Sequence, residues 1–574
     1  MQWIHKGFHS VSETVRNHSG VEIEELLASG KKFQIQNLYN MALAIHDSAR
    51  AGIPITIIGD YDADGITATA GLFLLLRELG ATNIRMRLPK RFSEGYGLNE
   101  KIVDEVQSGV LITVDNGITA KEAIKKAVKK KLYVLIIDHH MPKINSEGEP
   151  DIPPAALIVD PHVEEPYIAF RKNVTPSDFK YYCGAGLVYK IAQVLLPENN
   201  PVLGQIAAFA AIATIADVVP LQGDNRNIFH TGIQQIQQKN ITPGLQCIID
   251  LLQCNNIISE TDIGFKIAPM LNAPGRLLDN GAEISLQAVL AGSYSQGQIL
   301  ASKLQEINEI RKGLKDSAVS RAFGIIETQG LSGSNPIVLY DEETPEGIVG
   351  LVAGSVSEKY NVSSFVFTKK GSMLKGSART AGYDNLKKSL DAFHLQHGDV
   401  LGDTYGGHKG AAGISIKTEN FEKFKLYIPQ YMEELHKKQD TLFYDLEITA
   451  DEIIETAHKI RQFAPFGEGN PPVIVKITDF KTTPKGNSFF TELKKDSLKF
   501  RGAGCEVIGF SMADRFKDAG YPTRMDLIGT LGFRSFMGKI SPQIEVIDFK
   551  PCVNKSVLNE TNQSIADALK TLFS

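Results

Sequence analysis

The 574-residue chain is too long for one hydrophobic core, and at roughly 100 to 200 residues per domain it is expected to hold three or four units. Its composition, 43% hydrophobic and 22% charged, includes no apolar run near the roughly 20 residues of a membrane span and no basic, apolar leader, so a soluble cytoplasmic protein with no membrane role is expected. The five cysteines are odd in number and lack a CxxC spacing, so neither a zinc ribbon nor a disulfide framework is indicated and reduced buried thiols are expected, while a net charge of −5 decides nothing because totals hide local patches and bound cations.

Residues 1 to 50 read as helical, with apolar spacings of three and four in "ELLASGKKFQIQNLYNMALAIHDSARAG" and Gly52 as a stop. Four short apolar runs follow, "IPITIIG", "VLITVD", "LYVLIID" and "AALIVD", the first three separated by helix-like segments such as "KEAIKKAVKKK". That alternation predicts a parallel α/β sheet. Each run ends on acid: Asp60 with Asp62 and Asp64, then Asp115, Asp138 and Asp160. The carboxyl ends of strands border the ligand crevice in such sheets, so these acids are expected to converge. Bends at Gly59 and Gly65 are expected to turn Asp62 and Asp64 into one crevice, leaving Asp60 as a cap or support.

Residues 201 to 330 look helical, and Leu300, Leu304, Ile307, Ile310, Leu314 and Ala318 recur at three or four to predict one apolar stripe on a long helix. A mixed segment follows, with strand-like "NPIVLY", "SSFVFTK" and "GISIK" and the glycine-rich "YGGHKGAAG". Beyond residue 441, short strand-like runs broken by Gly, Pro and Asn predict a small β-barrel. Between Lys476 and Lys550 basic residues outnumber acids and are interleaved with Phe489, Phe490, Phe500, Phe533 and Phe536, a pattern for stacking bases on one or two rings while the rest fill the barrel core.

Hard divalent cations take oxygen ligands, Mn²⁺ also accepts imidazole, and a pair of cations requires bridging carboxylates. Asp62 and Asp64 sit two apart, Asp115 ends a neighbouring strand in "TVDNG", and "DHH" from Asp138 to His140 adds two imidazoles, one to ligate and one to contact substrate. A lone strand-end Asp is as readily a helix N-cap, but four acidic strand ends together with DHH favour a metal site. Asp217 interrupts the apolar run "AAIATIADVVPL", where an unpartnered acid is rarely buried; it caps a helix or faces the metal, and the metal is preferred.

In this order, "GDYDADG", "VDNGIT", "DHH", "CGAGLVYKIA", "TIADVVPL" and "PMLNAPGR" resemble the DHH phosphoesterases of the RecJ type, single-strand-specific 5′ to 3′ DNA exonucleases. "GIVGLVAG", "KGSART" and "GGHKGAAG" resemble the associated DHHA1 domain, and "PFGEGNPP" precedes what looks like the oligonucleotide-binding barrel. The resemblance implies an α/β fold with a helical lead-in (1–50), a parallel-sheet DHH catalytic domain (51–280), a connecting helix (281–330), a smaller α/β DHHA1 substrate-binding domain (331–440) and a C-terminal OB-fold nucleic-acid-binding domain (441–574).

By the same resemblance Asp64, Asp115, His139 and Asp217 would hold one Mn²⁺ or Mg²⁺, and Asp62 with the bridging Asp115 a second. His140 would lie beside the scissile phosphate with Asp138 supporting the imidazoles. Arg91, Arg276, Ser377 and Arg379 match positions expected to contact DNA phosphates, Ser377 and Arg379 at the 5′ phosphate, and His408 would add a contact near the scissile phosphate. The plain alternatives are solvated arginines and a tight glycine turn. Three departures stand out: Ile58 where many relatives have a His four residues before the Asp62 position, Asp160 in "VDPH" where Asn is common, and Pro345 where relatives usually carry a His.

The implied activity is metal-dependent hydrolysis of single-stranded DNA from a 5′ end to mononucleotides, in DNA repair and recombination, with a single-strand-binding protein and a helicase as partners. Two other readings stay open: a small-substrate DHH phosphoesterase acting on oligoribonucleotides or a phosphorylated nucleotide, and an inactive DNA-binding scaffold. The C-terminal barrel argues against the first, and retention of the acid and histidine set against the second.

Overall fold

The computed structural model describes residues 2–28, 33–145, 147–163, 176–254, 258–382, 384–402, 404–432, 441–484, 486, 488–493, 496–536 and 539–552. These form two compact units, one drawn from 33–219 and 227–432, the other from 2–28, 220–226 and 441–552.

The first unit carries a five-stranded parallel sheet in the order Ile84–Arg87, Ile55–Ile58, Val110–Val114, Tyr133–Ile137, Leu157–Val159. All four expected runs are strands. "ITII" and "VLITV" are buried along their whole length, as near-continuous branched apolar runs must be when helices cover both faces of a parallel sheet. The edge strand "IRMR" escapes a search for apolar runs because its arginines alternate with apolar residues. Against the sheet pack the helices Ala63–Glu78 and Gly184–Leu195, and the helix Pro201–Ala216 packs on both of them.

The long helix runs from Tyr294 to Thr328, 35 residues. Its buried face is not the apolar stripe the spacing predicts: Ile310 and Leu314 are 52% and 38% exposed, while Asn308 and Arg311 are only 4% and 9% exposed. Leu304, Ala318, Ala322 and Ile326 bury as well, so the inward face is apolar at both ends and polar in the middle. A second five-stranded sheet follows in the order Tyr405–Gly407, Ala411–Lys417, Met373–Arg379, Ser364–Lys370, Ile337–Tyr340, with Phe365, Phe367, Phe393 and Phe424 in its core.

The second unit holds a seven-stranded sheet ordered Leu446–Thr449, Ile474–Lys481, Arg524–Phe536, Lys539–Pro551, Cys505–Gly509, Ser497–Gly502, Phe490–Leu493. Phe480 and Phe500 are core, Phe490 and Phe533 pack partly buried against it, and Phe489 is 41% exposed; the side chain of Phe536 lies outside the described residues. The lead-in is not all helix. Gln2–His5 is a strand paired in parallel with Thr441–Tyr444, and only then come helices. Buried Asp445 clamps this segment, taking Lys6 Nζ at 2.9 Å, His18 Nε2 at 3.1 Å and the Ile474 N–H at 2.7 Å. The five cysteines are free thiols, and among the described residues no helix is long and apolar enough to cross a membrane.

Candidate active site

The acids converge as the strand order requires. Asp60, Asp115 and Asp138 follow three adjacent strands directly or one residue on, and Asp62 caps the helix that begins at Ala63, its Oδ1 accepting the Gly65 N–H at 3.1 Å. Asp64, one residue further, faces the start of a different helix: its Oδ2 takes the Gly184 N–H at 2.7 Å and its Oδ1 the Ala185 N–H at 2.8 Å. Those two orphan N–H groups of a helix N-terminus fix the carboxylate in place.

Gly59 and Gly65 serve close packing rather than a bend. Neither has positive φ; a Cβ on Gly59 would fall 1.9 Å from Thr69 Oγ1, and one on Gly65 within 2.7 Å of the Asp60 backbone. Left-handed backbone occurs instead at Asp115, with φ of 61°. Its N–H is bonded to the Ile137 carbonyl, and Asn116 ties the loop down by donating to the carbonyls of Ile58 and Val114. Gly184 comes so near that an added Cβ would lie 2.7 Å from Asp115 Cβ.

His139 sits at the centre. Its Nε2 is 3.1 Å from Asp115 Oδ1, 3.6 Å from Asp64 Oδ2 and 3.7 Å from Asp217 Oδ2, Asp217 being the residue that ends the helix Pro201–Ala216. Three sets of ligand atoms lie within 4.8 Å of one another: Asp64, His139 and Asp217; Asp115, His139 and His140; Asp60, Asp62 and Asp115. Asp60 thus belongs to the cluster, closer in than the supporting place its sequence position implies. Ile58, where an imidazole would have stood, is fully buried in apolar core and offers only its carbonyl to Asn116.

Asp138 organises the second half. Its Oδ2 takes the Ile118 N–H at 2.9 Å, and its Oδ1 the N–H groups of His139 and His140 and the His140 Nδ1 at 2.8 Å. Asp160 takes the His162 N–H at 2.9 Å as a turn cap. Tyr96, absent from the residues that the sequence singles out, donates its hydroxyl to the Asp115 carbonyl at 3.0 Å and lies 3.2 Å from the His140 ring. Its signal is an aromatic between two glycines in "GYGL", shortly after Arg91.

Burial, then mutual repulsion, lifts Asp115 and Asp217 well above the usual carboxylate range, and burial lifts Asp64 to about 6. Burial also holds His139 down to about 3, so its imidazole is neutral and ready to ligate despite three acids around it. For His140 burial acts downward too, but the Asp138 bond and charge outweigh it and push the ring up to about 9. Among the described residues no Lys or Arg forms an ion pair with Asp60, Asp62, Asp64, Asp115 or Asp217. Closely spaced buried carboxylates with one neutral imidazole and no basic partner make a donor set that fits Mn²⁺ or Mg²⁺.

Cationic groups stand beside the acids. The Arg91 guanidinium lies 4.5 Å from the centre of the Tyr61 ring, and a Cβ on Gly275 would be 3.1 Å from the Tyr61 carbonyl, which puts Arg276 next to the acidic loop. Arg276 Nη1 donates to the Gly347 carbonyl at 3.4 Å. Arg379 Nη1 donates to Ser377 Oγ at 2.9 Å on the strand Met373–Arg379, and a Cβ on Gly350, in the first turn of the helix Val349–Tyr360, would meet both side chains at about 3 Å. His408 accepts the Gly410 N–H at 3.2 Å; burial and then the Arg379 charge depress its pKa. Pro345 precedes the short turn Glu346–Ile348 as ordinary extended backbone.

The profile of the DHH family N-terminal domain matches residues 54–214, that of the DHHA1 domain 333–434 and that of the RecJ OB domain 444–548. The single-stranded-DNA-specific exonuclease RecJ of Haemophilus influenzae is 30% identical over 465 residues, 78% of either chain. A crystal structure of RecJ in complex with Mn²⁺ from Thermus thermophilus shares the fold over 96% of this chain and 80% of that one, with a TM-score of 0.75 at 23% identity. A second crystal structure, of exonuclease RecJ bound to manganese, aligns with 69% of this chain and 94% of its own at 28% identity and a TM-score of 0.55. The chain belongs to the RecJ family of single-stranded-DNA-specific exonucleases.

Proposed function

We propose that the protein hydrolyses single-stranded DNA from its 5′ end, one nucleotide at a time, in DNA repair and recombination. The observation that carries this reading is the juxtaposition of the His139-centred carboxylates with Arg276, whose neighbour Gly275 lies against the Tyr61 carbonyl of the acidic loop. One cluster suits divalent cations and the other phosphate oxygens. Asp64, Asp115, His139 and Asp217 would hold one Mn²⁺ or Mg²⁺, and Asp62 with Asp115, and with Asp60 in range, a second. Such cations supply positive charge at the scissile phosphate and acidify water.

The chain's own groups do the rest. Asp138 fixes the His140 ring through Nδ1 and keeps it protonated near neutrality, so the imidazolium can donate to a phosphate oxygen as charge develops. Ser377 and Arg379 would bind a terminal 5′ phosphate, and Arg91, Arg276 and His408 the phosphates nearer the reacting bond. A fixed spacing between the end-binding and hydrolytic groups would release mononucleotides. In the second unit Phe443, Phe489 and Phe510 are exposed aromatics on which a base could stack. Such an enzyme would act in the cytoplasm on strands opened by a helicase and coated by a single-strand-binding protein.

The test uses 5′-phosphorylated single strands labelled at either end, with a duplex and a dinucleotide alongside, in Mn²⁺. Stepwise mononucleotides from the single strand alone, lost in Asp115→Ala, are expected. Digestion of the dinucleotide alone would favour a small-substrate phosphoesterase, and no turnover by wild type a scaffold.

A further inference from the structure

The polar middle of the long helix has no role in the site as described. Arg311 is 9% exposed and Asn308 4%. Arginine is almost never buried without a partner. Yet among the described residues the Arg311 guanidinium forms no ion pair, and its one hydrogen bond runs from Nε to Asn308 Oδ1 at 3.0 Å, a neutral acceptor one turn back on the same helix. That bond orients the fork and leaves Nη1 and Nη2 to point elsewhere. The nearest acid on the helix, Glu309, is taken by Lys312 at 2.7 Å.

Glu309 and Asp316 act on Arg311 through space, but the elements that the long helix packs against bring other arginines towards it. The long helix packs against the helix Ala268–Leu277, which carries Arg276, and against the turn Glu346–Ile348 and the helix Val349–Tyr360 that follows it. Gly347 lies on Arg276, an added Cβ falling 1.9 Å from the Arg276 carbonyl, and Gly350 faces Ser377 and Arg379. Arg276 feels the others: burial first, then Arg91, Arg311 and Arg379, bring it down to about 10. Among the described residues none of these four arginines is ion-paired to a carboxylate, although Asp62 acts on Arg276 and Asp60 feels Arg91 through space. Their mutual repulsion is a cost in the free protein that a bound anion removes.

We infer that Asn308 and Arg311 complete the anion site of Arg276, Ser377 and Arg379, and that the added guanidinium selects a terminal phosphate monoester over an internal diester. A monoester carries about −1.5 to −2 charge near pH 7 and three free oxygens, so a further cation discriminates it from a diester of charge −1. Asn308 is a positioning residue, holding Nε so that the two terminal nitrogens face the ligand. The inference rests on the reading that Ser377 and Arg379 receive the 5′ phosphate.

The test is binding of a 3′-fluorescein-labelled single-stranded dT oligonucleotide with either a 5′ phosphate or a 5′ hydroxyl, read by anisotropy in EDTA so that nothing is cleaved. Arg311→Gln is expected to weaken the phosphorylated strand about tenfold and leave the hydroxyl strand unchanged, with Arg311→Lys recovering part and Asn308→Ala losing less than Arg311→Gln. Thermal melts confirm that each variant is folded; if Arg311→Gln does not fold, Arg311→Lys and Asn308→Ala must still lower the phosphate preference, and failure there overturns the inference. Equal loss on both strands, or none on either, also overturns it. Arg379→Ala serves the underlying reading separately: a wild type without preference, or an Arg379→Ala that keeps it, refutes the assignment of the 5′ phosphate to Ser377 and Arg379 whatever Arg311 does.

Discussion

Gly184→Ala isolates what the glycine in "CGAGLVYKIA" is for. The new Cβ would stand 2.7 Å from Asp115 Cβ, 3.1 Å from its Cα and 3.2 Å from its Cγ. Carbon atoms rest at about 3.5 Å or more, so the two backbones must part by about 0.8 Å. Neither yields freely: Asp115 is fixed by its N–H bond to the Ile137 carbonyl, and Gly184 by its N–H bond to Asp64. The movement therefore opens the distance between Asp64 and Asp115, two of the carboxylates facing His139 Nε2. A displacement near 1 Å in a reacting constellation costs about 100-fold in rate, and overpacking a tight core about 1 to 3 kcal/mol in stability. The control is Gly186→Ala on the same helix, where the new Cβ meets nothing closer than Cys183 Sγ at 3.5 Å. Digestion of 5′-phosphorylated single-stranded DNA in Mn²⁺ and thermal melts are measured for both. Wild-type turnover in Gly184→Ala, or equal losses in the two variants, would refute the reasoning.

Excess Mn²⁺, at about 100 times its dissociation constant, is expected to stabilise the protein by about 3 kcal/mol, and Asp115→Ala to abolish the shift in a thermal melt. Asp64 stands at about 6 in the fold against about 3.9 unfolded, so the metal-free protein loses stability as pH rises through about 6, while Mn²⁺, which needs the ionised form, binds more tightly over the same rise; calorimetric titration giving one affinity at pH 5.5 and 7.5 would contradict this. Tyr96→Phe removes the bond to the Asp115 carbonyl, and a fall of about tenfold in kcat with unchanged KM is expected from steady-state kinetics. Asp445→Asn keeps its volume but loses the charge facing Lys6 and His18, and a loss of about 1 to 3 kcal/mol is expected in denaturant unfolding at pH 7. Burial opposes it, but these partners hold Asp445 below the usual carboxylate range, so its contribution is present above about 3.9 and lost as pH falls through the lower folded value; the gap between the Asp445→Asn variant and wild type should close in strong acid.

The sheet and its acids were legible because one constraint writes both: a strand buried on two faces must be a continuous apolar run, and the residue after it stands at the crevice. Asp64 shows where this stops. Its partners, the N–H groups of Gly184 and Ala185, lie 120 and 121 residues away, and no local pattern announces that one helix start will hold the carboxylate of another. The N-terminal strand was missed for the same reason, since Gln2–His5 is a strand only through its pairing with Thr441–Tyr444.

The long helix sets the sharper limit. Periodicity there correctly gave a helix, and Leu304 and Ala318 are buried as expected, but between them the inward face turns to Asn308 and Arg311 while Ile310 and Leu314 face outward. Hydrophobic spacing reports which residues share a stripe, and it assumes that what the stripe meets is apolar. Where a helix borders a site for a charged ligand, that assumption reverses. The residues worth burying are then the polar ones, and the apolar neighbours are left to solvent. An interruption of a good amphipathic pattern by Asn and Arg at helical spacing is therefore a site signal in its own right, and it points to the stretch of the long helix whose Arg311 acts on Arg276.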